Sequence, residues 1–345
     1  RSGNVLAFSG EARRLSVTPN RMNEEQAQAR KQDPSQPTAV EHKREIARFI
    51  DRVLGDRITE SEVLDALFAD TTFTYFGPLI DPGQARKTTE KYPQIGAEYR
   101  ATREYPAGKV GANIIGAASW RADERAVRGI FGLENSLDSV LAGTDGAKVS
   151  DTAMGSDLVI PGTERTLERA TPGSGVELTV DSDVQYMVQR KLTEYVSKTR
   201  AKGGSAVVMD AKTGEVYSLA SNNTFDPGDS STWNNGVGNP AVTSPFEPGS
   251  VNKVITAAGA IEDGIMRPDS VLKVPGSIEV ADREVRDAWP HGEVPMTFTG
   301  VLAKSSNVGT LMTAKKLGPD RFNELVRKFG LGQRTGIGLP GESGG

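Results

Sequence analysis

The chain has 345 residues, 37% hydrophobic and 25% charged, the composition of an ordinary globular protein long enough for two domains. Lys and Arg total 41 against 45 Asp and Glu, a net charge of -4, so there is no basic footprint for a nucleic-acid partner. Cysteine is absent and only two histidines are present, which excludes thiol catalysis and disulfides and argues against a histidine-based triad or metal site.

In chain order, Asn4 to Phe8 and Leu15 to Val17 read as short strands. Met22 to Gly55 is rich in Glu, Gln, Ala, Arg and Lys and reads as helix, interrupted at Asp33 to Pro37. His42 falls in its charged stretch and is expected to be solvated. Thr59 to Glu62 has the pattern that opens a helix running through Val63, Leu64 and Leu67. Thr71 to Phe76 reads as a strand, with a further helix after Asp81-Pro82. The first half offers no set of groups that converges on chemistry and reads as a structural or interaction module. A boundary is expected at Ala170 to Gly175, dividing the chain into 1–172 and 173–345.

Beyond the boundary, Val176 to Val180 reads as a strand. Asp181 is placed to cap a helix with Val184, Val188, Leu192 and Tyr195 on its apolar face. Ala206 to Met209, a turn at Asp210 to Gly214, and Glu215 to Leu219 form a hairpin signal. Asn222 to Pro240 is a polar loop. A helix follows through Val254, Ala257, Ala258 and Ile261, its expected apolar face, and stops at Gly264. Thr297 to Ala303 and Val308 to Lys316 read as two more helices, the second closed by Gly318. His291, after Trp289-Pro290, is expected to have a structural or surface role.

Ser250 and Lys253 stand three residues apart where the helix through Val254 begins, a spacing that puts both side chains on one face. A hydroxyl and an amine so placed can serve as nucleophile and base. Pro248-Gly249 turns the chain sharply just before, and free amides at a helix N-terminus favour a developing oxyanion. The same pattern also describes an N-cap followed by a surface lysine. A second copy, Ser270 to Lys273, reads as extended, where residues three apart face opposite sides. Between the two later helices lies Lys304-Ser305-Ser306-Asn307. Ser305 can relay a proton, and the Asn307 amide can bond a peptide group. Helix capping is the alternative use of both residues.

Taken together and in this order, Ser250-x-x-Lys253 and Ser305-x-Asn307 resemble the penicillin-binding transpeptidases, a family marked by S-x-x-K, a Ser-x-Asn element and K-T-G. Glu247-Pro248-Gly249-Ser250 is similar to the family's nucleophile segment. Leu178 to Asp181, Val207 to Val216 and Phe225-Asp226-Pro227 are similar to the opening of such domains. In the first half, Arg1 to Ala7, Arg103 to Pro106, Ile115-Gly116, Gly132-Leu133-Glu134 and Leu141 to Gly143 resemble the pedestal of class B members. Phe246 to Lys253 and Phe329 to Glu342 look most like division-type members from actinobacteria. Lys212-Thr213-Gly214 spells K-T-G but precedes Ser250 and fits ordinary hairpin-turn chemistry. The resemblance implies a third element downstream of Gly345.

The resemblance implies an α+β architecture. A mixed α/β pedestal over 1–172 precedes a truncated transpeptidase domain over 173–345, with an antiparallel sheet seeded near residues 206 to 220 and packed against helices including that of Ser250. It further implies a D,D-transpeptidase acting on peptidoglycan stem peptides, with Ser250 as nucleophile, Lys253 as base, Ser305 as relay and Asn307 binding substrate. β-Lactams would acylate Ser250, and no metal or organic cofactor is expected. Implied partners are division proteins, including a lipid-linked glycan polymerase. The implied location is the outer face of the cell membrane, held by an N-terminal anchor preceding Arg1. A β-lactamase or β-lactam sensor, an elongation-type transpeptidase and a non-catalytic scaffold are the alternatives that share parts of this pattern.

Overall fold

A computed structural model describes residues 1–151, 163, 165–234 and 236–345. Its contacts divide the chain into two compact units, Arg1–Asn239 and Pro240–Gly345.

The first unit opens with β1 (Phe8–Val17), α1 (Pro19–Gln32), α2 (Ala39–Leu54), α3 (Glu60–Leu67), β2 (Thr74–Ile80), α4 (Pro82–Lys91) and β3 (Ile95–Glu104). The three strands form an antiparallel sheet in the order β2-β1-β3. Leu15, Val17, Phe76, Ile80 and Ile95 bury one face of it against Ile46, Ile50, Val63 and Leu67 of the helices. The helix starts follow from local chemistry. Thr38 with Glu41, and Thr59 with Glu62, each form a reciprocal capping box. Asp81 accepts from the Gly83 and Gln84 amides. The expected strand at Asn4 to Phe8 is absent, because pairing starts only at Phe8. His42 is not solvated as expected. It packs edge-on against Tyr92, and burial lowers its pKa.

Next come α5 (Ala112–Ile115), β4 (Ala117–Arg121), β5 (Ala126–Phe131), α6 (Gly132–Ser136), α7 (Asp138–Leu141), β6 (Ala147–Val149) and β7 (Arg165–Glu168). Arg103 donates to Glu134 at 2.8 Å, with side chains only 15% and 6% exposed. Burial raises the Glu134 pKa in spite of the guanidinium.

The unit closes with α8 (Ser182–Thr199) and the hairpin of β8 (Ser205–Met209) and β9 (Val216–Ser221). Asp181 caps α8 through the Asp183 and Val184 amides. The buried contact of α8 is Gln185, whose Oε1 accepts from Ser218 Oγ and the Leu219 amide, both at 2.9 Å. Tyr195, expected on the buried face, is exposed. Val176 to Val180 forms no ladder. The segment is tied down singly, as where Thr179 Oγ1 donates to the Val216 carbonyl. The polar stretch after β9 runs to Asn239, apart from Asn235, which lies outside the described residues.

The second unit holds α9 (Pro240–Thr243), a 3-10 turn at Gly249–Asn252, α10 (Lys253–Glu262), β10 (Val271–Val274), β11 (Ser277–Val280), β12 (Arg283–Arg286), β13 (Val294–Thr297), α11 (Phe298–Ala303), α12 (Asn307–Leu317) and α13 (Pro319–Lys328). β10 pairs with β13, and β11 with β12, both antiparallel. Ile255, Ala257, Ala260, Phe298, Val301, Val308, Leu317 and Leu325 form the core. The apolar face expected for α10 is partly misphased. Ala257 is buried as expected, but Val254 and Ile261 are exposed, and Ile255, Thr256, Gly259 and Ala260 are buried. The helix is apolar all round, so its periodicity does not choose a side. Packing chooses instead: a Cβ on Gly259 would sit 2.2 Å from Leu325 Cδ1, so α13 lies directly on that glycine.

Candidate active site

Four residues proposed from the sequence converge within the second unit. Gly249 adopts φ +57°, a left-handed conformation that glycine enters without penalty. This reversal puts Ser250 in a 3-10 turn ahead of α10, not in its first α-helical turn. Ser250 is exposed, and Lys253 begins α10 half-buried.

The partner turn is built by two adjoining helices. Thr297 caps α11 by accepting from the Gly300 amide, and α11 ends at Ala303. Ser306 caps α12 by accepting from the Gly309 amide at 2.8 Å. Between them Ser305 takes φ +53°, a conformation costing a non-glycine residue about 1–3 kcal/mol. Two backbone bonds hold it there, from the Ser305 amide to the Leu302 carbonyl and from the Ser306 amide to the Val301 carbonyl, each 2.9 Å. The buried Val301 and Val308 anchor both sides of the turn in the core.

Lys253 Nζ donates to the Ser305 carbonyl at 2.5 Å, to Ser305 Oγ at 3.0 Å and to Asn307 Oδ1 at 2.7 Å. Ser305 Oγ in turn donates to Ser250 Oγ at 3.0 Å. The link from Ser250 to Lys253 therefore runs through Ser305. The three acceptors around Nζ match the three hydrogens of a charged lysine. If Nζ loses a proton, its lone pair faces Ser305 Oγ, and the chain can reverse to run from Ser250 through Ser305 to Lys253. Burial lowers the Lys253 pKa, and the charge of Asp287 opposes that shift.

Asn307 is engaged at both ends of its amide. Its Oδ1 takes Lys253, and its Nδ2 donates to the Arg286 carbonyl at 2.9 Å. Asp287 was not singled out from the sequence. Its buried carboxylate accepts from Ser306 Oγ at 2.7 Å, the Val308 amide at 3.0 Å and His291 Nε2 at 3.1 Å. Burial pushes this carboxyl up, but those bonds, with one from the Asn307 amide, outweigh it and hold the pKa below the ordinary value. A lone Asp after a four-residue strand carries no sequence signal for this role. The structural role expected of His291 is found here, since its ring stacks on Trp289 and faces Asp287.

Two other motifs lie elsewhere in the fold. Lys212-Thr213-Gly214 forms the β8–β9 turn, where Asp210 Oδ1 accepts from the Lys212 and Thr213 amides at 2.8 Å each and Gly214 has φ +76°. Ser270 Oγ accepts from the Arg267 amide, and Lys273 lies on β10.

A serine joined through a second serine to a lysine, with an asparagine on the same amine, is the constellation of serine acyl-transfer enzymes. Residues 204–345 match the family model of the penicillin-binding protein transpeptidase domain, and residues 1–178 match that of the penicillin-binding protein dimerisation domain. The chain belongs to the class B penicillin-binding proteins, which combine these two domains. Penicillin-binding protein PbpB of Mycobacterium tuberculosis is 47% identical over 100% of this chain and 50% of its own length. Peptidoglycan D,D-transpeptidase FtsI of Escherichia coli K12 is 33% identical over 79% of the chain and 45% of its own. The crystal structure of M. tuberculosis penicillin-binding protein 3 complexed with ampicillin aligns with TM-score 0.62 and 48% identity over 72% of this chain and 50% of that one. The chain thus spans about half the length of the curated relatives it matches.

Proposed function

We propose that the protein is a peptidoglycan D,D-transpeptidase of the septal type. The hydrogen-bonded series Ser250 Oγ, Ser305 Oγ, Lys253 Nζ carries this reading. In the proposed reaction Ser250 Oγ attacks the carbonyl carbon of the penultimate D-alanine of a stem peptide. Its proton passes through Ser305 to neutral Lys253. The carbon–nitrogen bond breaks, and D-alanine leaves with the proton returned along the same path. The resulting ester on Ser250 is then attacked by an amine of a neighbouring stem peptide, forming the cross-link and restoring the hydroxyl. Asn307 orients the donor peptide through whichever amide capacity Lys253 and Arg286 leave open. A β-lactam mimics the donor and stays attached to Ser250.

The septal assignment rests on the likeness to PbpB and FtsI. On the same footing, residues 1–172 act as an interaction module, and 173–345 form part of the catalytic domain. The proposed partners are division proteins, including a lipid-linked glycan polymerase, at the outer face of the membrane. Among the described residues no helix is long and apolar enough to cross a membrane, a statement about these residues alone.

The test is to incubate the full-length protein with a stem peptide ending in D-Ala-D-Ala and an amine acceptor. Release of D-alanine together with the cross-linked product is expected. Release of D-alanine with water as the sole acceptor would mark a hydrolase. Neither product would refute the proposal.

A further inference from the structure

The turn that carries Ser305 and Asn307 is clamped from one side by two consecutive residues. The Arg286 carbonyl takes the Asn307 side-chain amide, and the Asp287 carboxylate takes Ser306 Oγ and the Val308 amide. Behind Asp287, His291 Nε2 stands at 3.1 Å. The ionised carboxylate can only accept, so Nε2 presents a hydrogen to it; on the other side of the ring Nδ1 lies 2.7 Å from the Gly292 carbonyl, which also only accepts. The Asp287 side chain is fully buried and that of His291 only 7% exposed. None of these groups bonds Ser250 or Ser305. They hold the residues that follow Ser305.

We propose that Asp287, locked by His291, is a positioning residue for acylation: it holds the strained Ser305–Asn307 turn in place, and from behind that turn its charge opposes the loss of a proton from Lys253. The inference rests on the transpeptidase reading above.

Two observations support separate halves of it. First, a left-handed serine persists only where its surroundings over-determine it, and Asp287 bonds the residues immediately after Ser305. Second, Asp287 is the charged group whose field reaches Lys253 and favours the ammonium, while burial works the other way. The other groups on the amine, Ser305 and Asn307, are neutral. The Arg286 side chain faces away toward Glu284, and His291 lies beyond the carboxylate. An uncharged acceptor in the same place would supply the first effect without the second.

The experiment measures the pH profile of Ser250 acylation by a fluorescent penicillin in full-length wild type, Asp287→Asn, His291→Ala and His291→Gln. Asparagine keeps an acceptor for the Val308 amide but removes the charge. The acylation midpoint of Asp287→Asn should move to lower pH by about half a unit or more. His291→Ala should acylate about tenfold more slowly or worse, because small misplacements near the chemistry are costly. His291→Gln, whose amide can still donate to Asp287, should recover most of that loss. The midpoint should stay fixed in both histidine variants. An unmoved midpoint in Asp287→Asn would overturn the proposal, and so would a His291→Ala variant that acylates like wild type. If Asp287→Asn does not fold, the histidine pair decides the positioning half and the midpoint of Asp287→Ser, also uncharged, decides the other. A wild type that fails to acylate at all removes the transpeptidase reading itself, an outcome recognisable before any variant is compared.

Discussion

Replacing Lys253 with Arg separates a base from a mere cation. Lys253 Nζ has three acceptors on Ser305 and Asn307, a set that suits the ammonium, which has no lone pair to offer. At an ordinary lysine pKa of about 10.4, reaching the neutral amine at pH 7 costs roughly 4–5 kcal/mol. Burial of Lys253 reduces that cost, and Asp287 restores part of it. Arginine can fill the site with a cation and donate to the same acceptors, but it does not deprotonate in this range. The proton relay then has no terminus. Loss of a general base slows a reaction by about 10²- to 10⁴-fold, equivalent to about 2.7–5.4 kcal/mol of barrier. The assay is the second-order rate of fluorescent-penicillin acylation, with a melting curve to establish that the variant is folded. A folded Lys253→Arg protein acylating within a few-fold of wild type would refute the role of Lys253 as base. The sign of the pKa shift carries a second expectation. A lysine held below its ordinary 10.5 binds fewer protons folded than unfolded across that window. Its contribution to stability therefore rises with pH from the lowered value up to 10.5.

Three further outcomes follow from other parts of the molecule. Arg103→Met leaves Glu134 buried without its partner, which should cost about 3–5 kcal/mol in denaturant unfolding at neutral pH. Because the Glu134 pKa already lies above its ordinary value, that loss should shrink as pH falls toward 4.5; a loss independent of pH would contradict the buried-charge explanation. On α13, Glu324 bonds Arg321 and Lys328, and its pKa is lowered to about 2. This support is complete above the ordinary 4.5 and is lost as pH falls from there through about 2, so Glu324→Gln should flatten that part of an acid-unfolding curve. An unchanged curve would count against the network. Asn307→Ala should slow acylation more than it lowers the melting temperature; the reverse order would make its bond to the Arg286 carbonyl chiefly structural.

Legibility in the sequence varied with how local the cause was. The helix start at Thr59, the Asp181 cap and the β8–β9 hairpin are written in a few adjacent residues, and they formed where expected. The catalytic candidates were legible for the same reason. Ser250 with Lys253, and Ser305 with Asn307, are short motifs, and the two come together in one unit. Long-range packing was not legible. The buried side of α10 is set by Leu325 pressing on Gly259, a contact between residues far apart in sequence. Val176 to Val180 has strand composition but no ladder partner. Asp287 was invisible because its role comes from what surrounds it, namely Ser306, Val308 and His291. The direct Ser250–Lys253 contact suggested by their spacing is replaced by a bridge through Ser305, a residue more than fifty positions further along the chain.

The acyl-enzyme claim is tested most directly by digesting full-length protein labelled with a fluorescent penicillin and locating the adduct by mass spectrometry. A single adduct on the peptide containing Ser250, absent from Ser250→Ala, is the expected result. A label on another residue, or one that survives in Ser250→Ala, would contradict it.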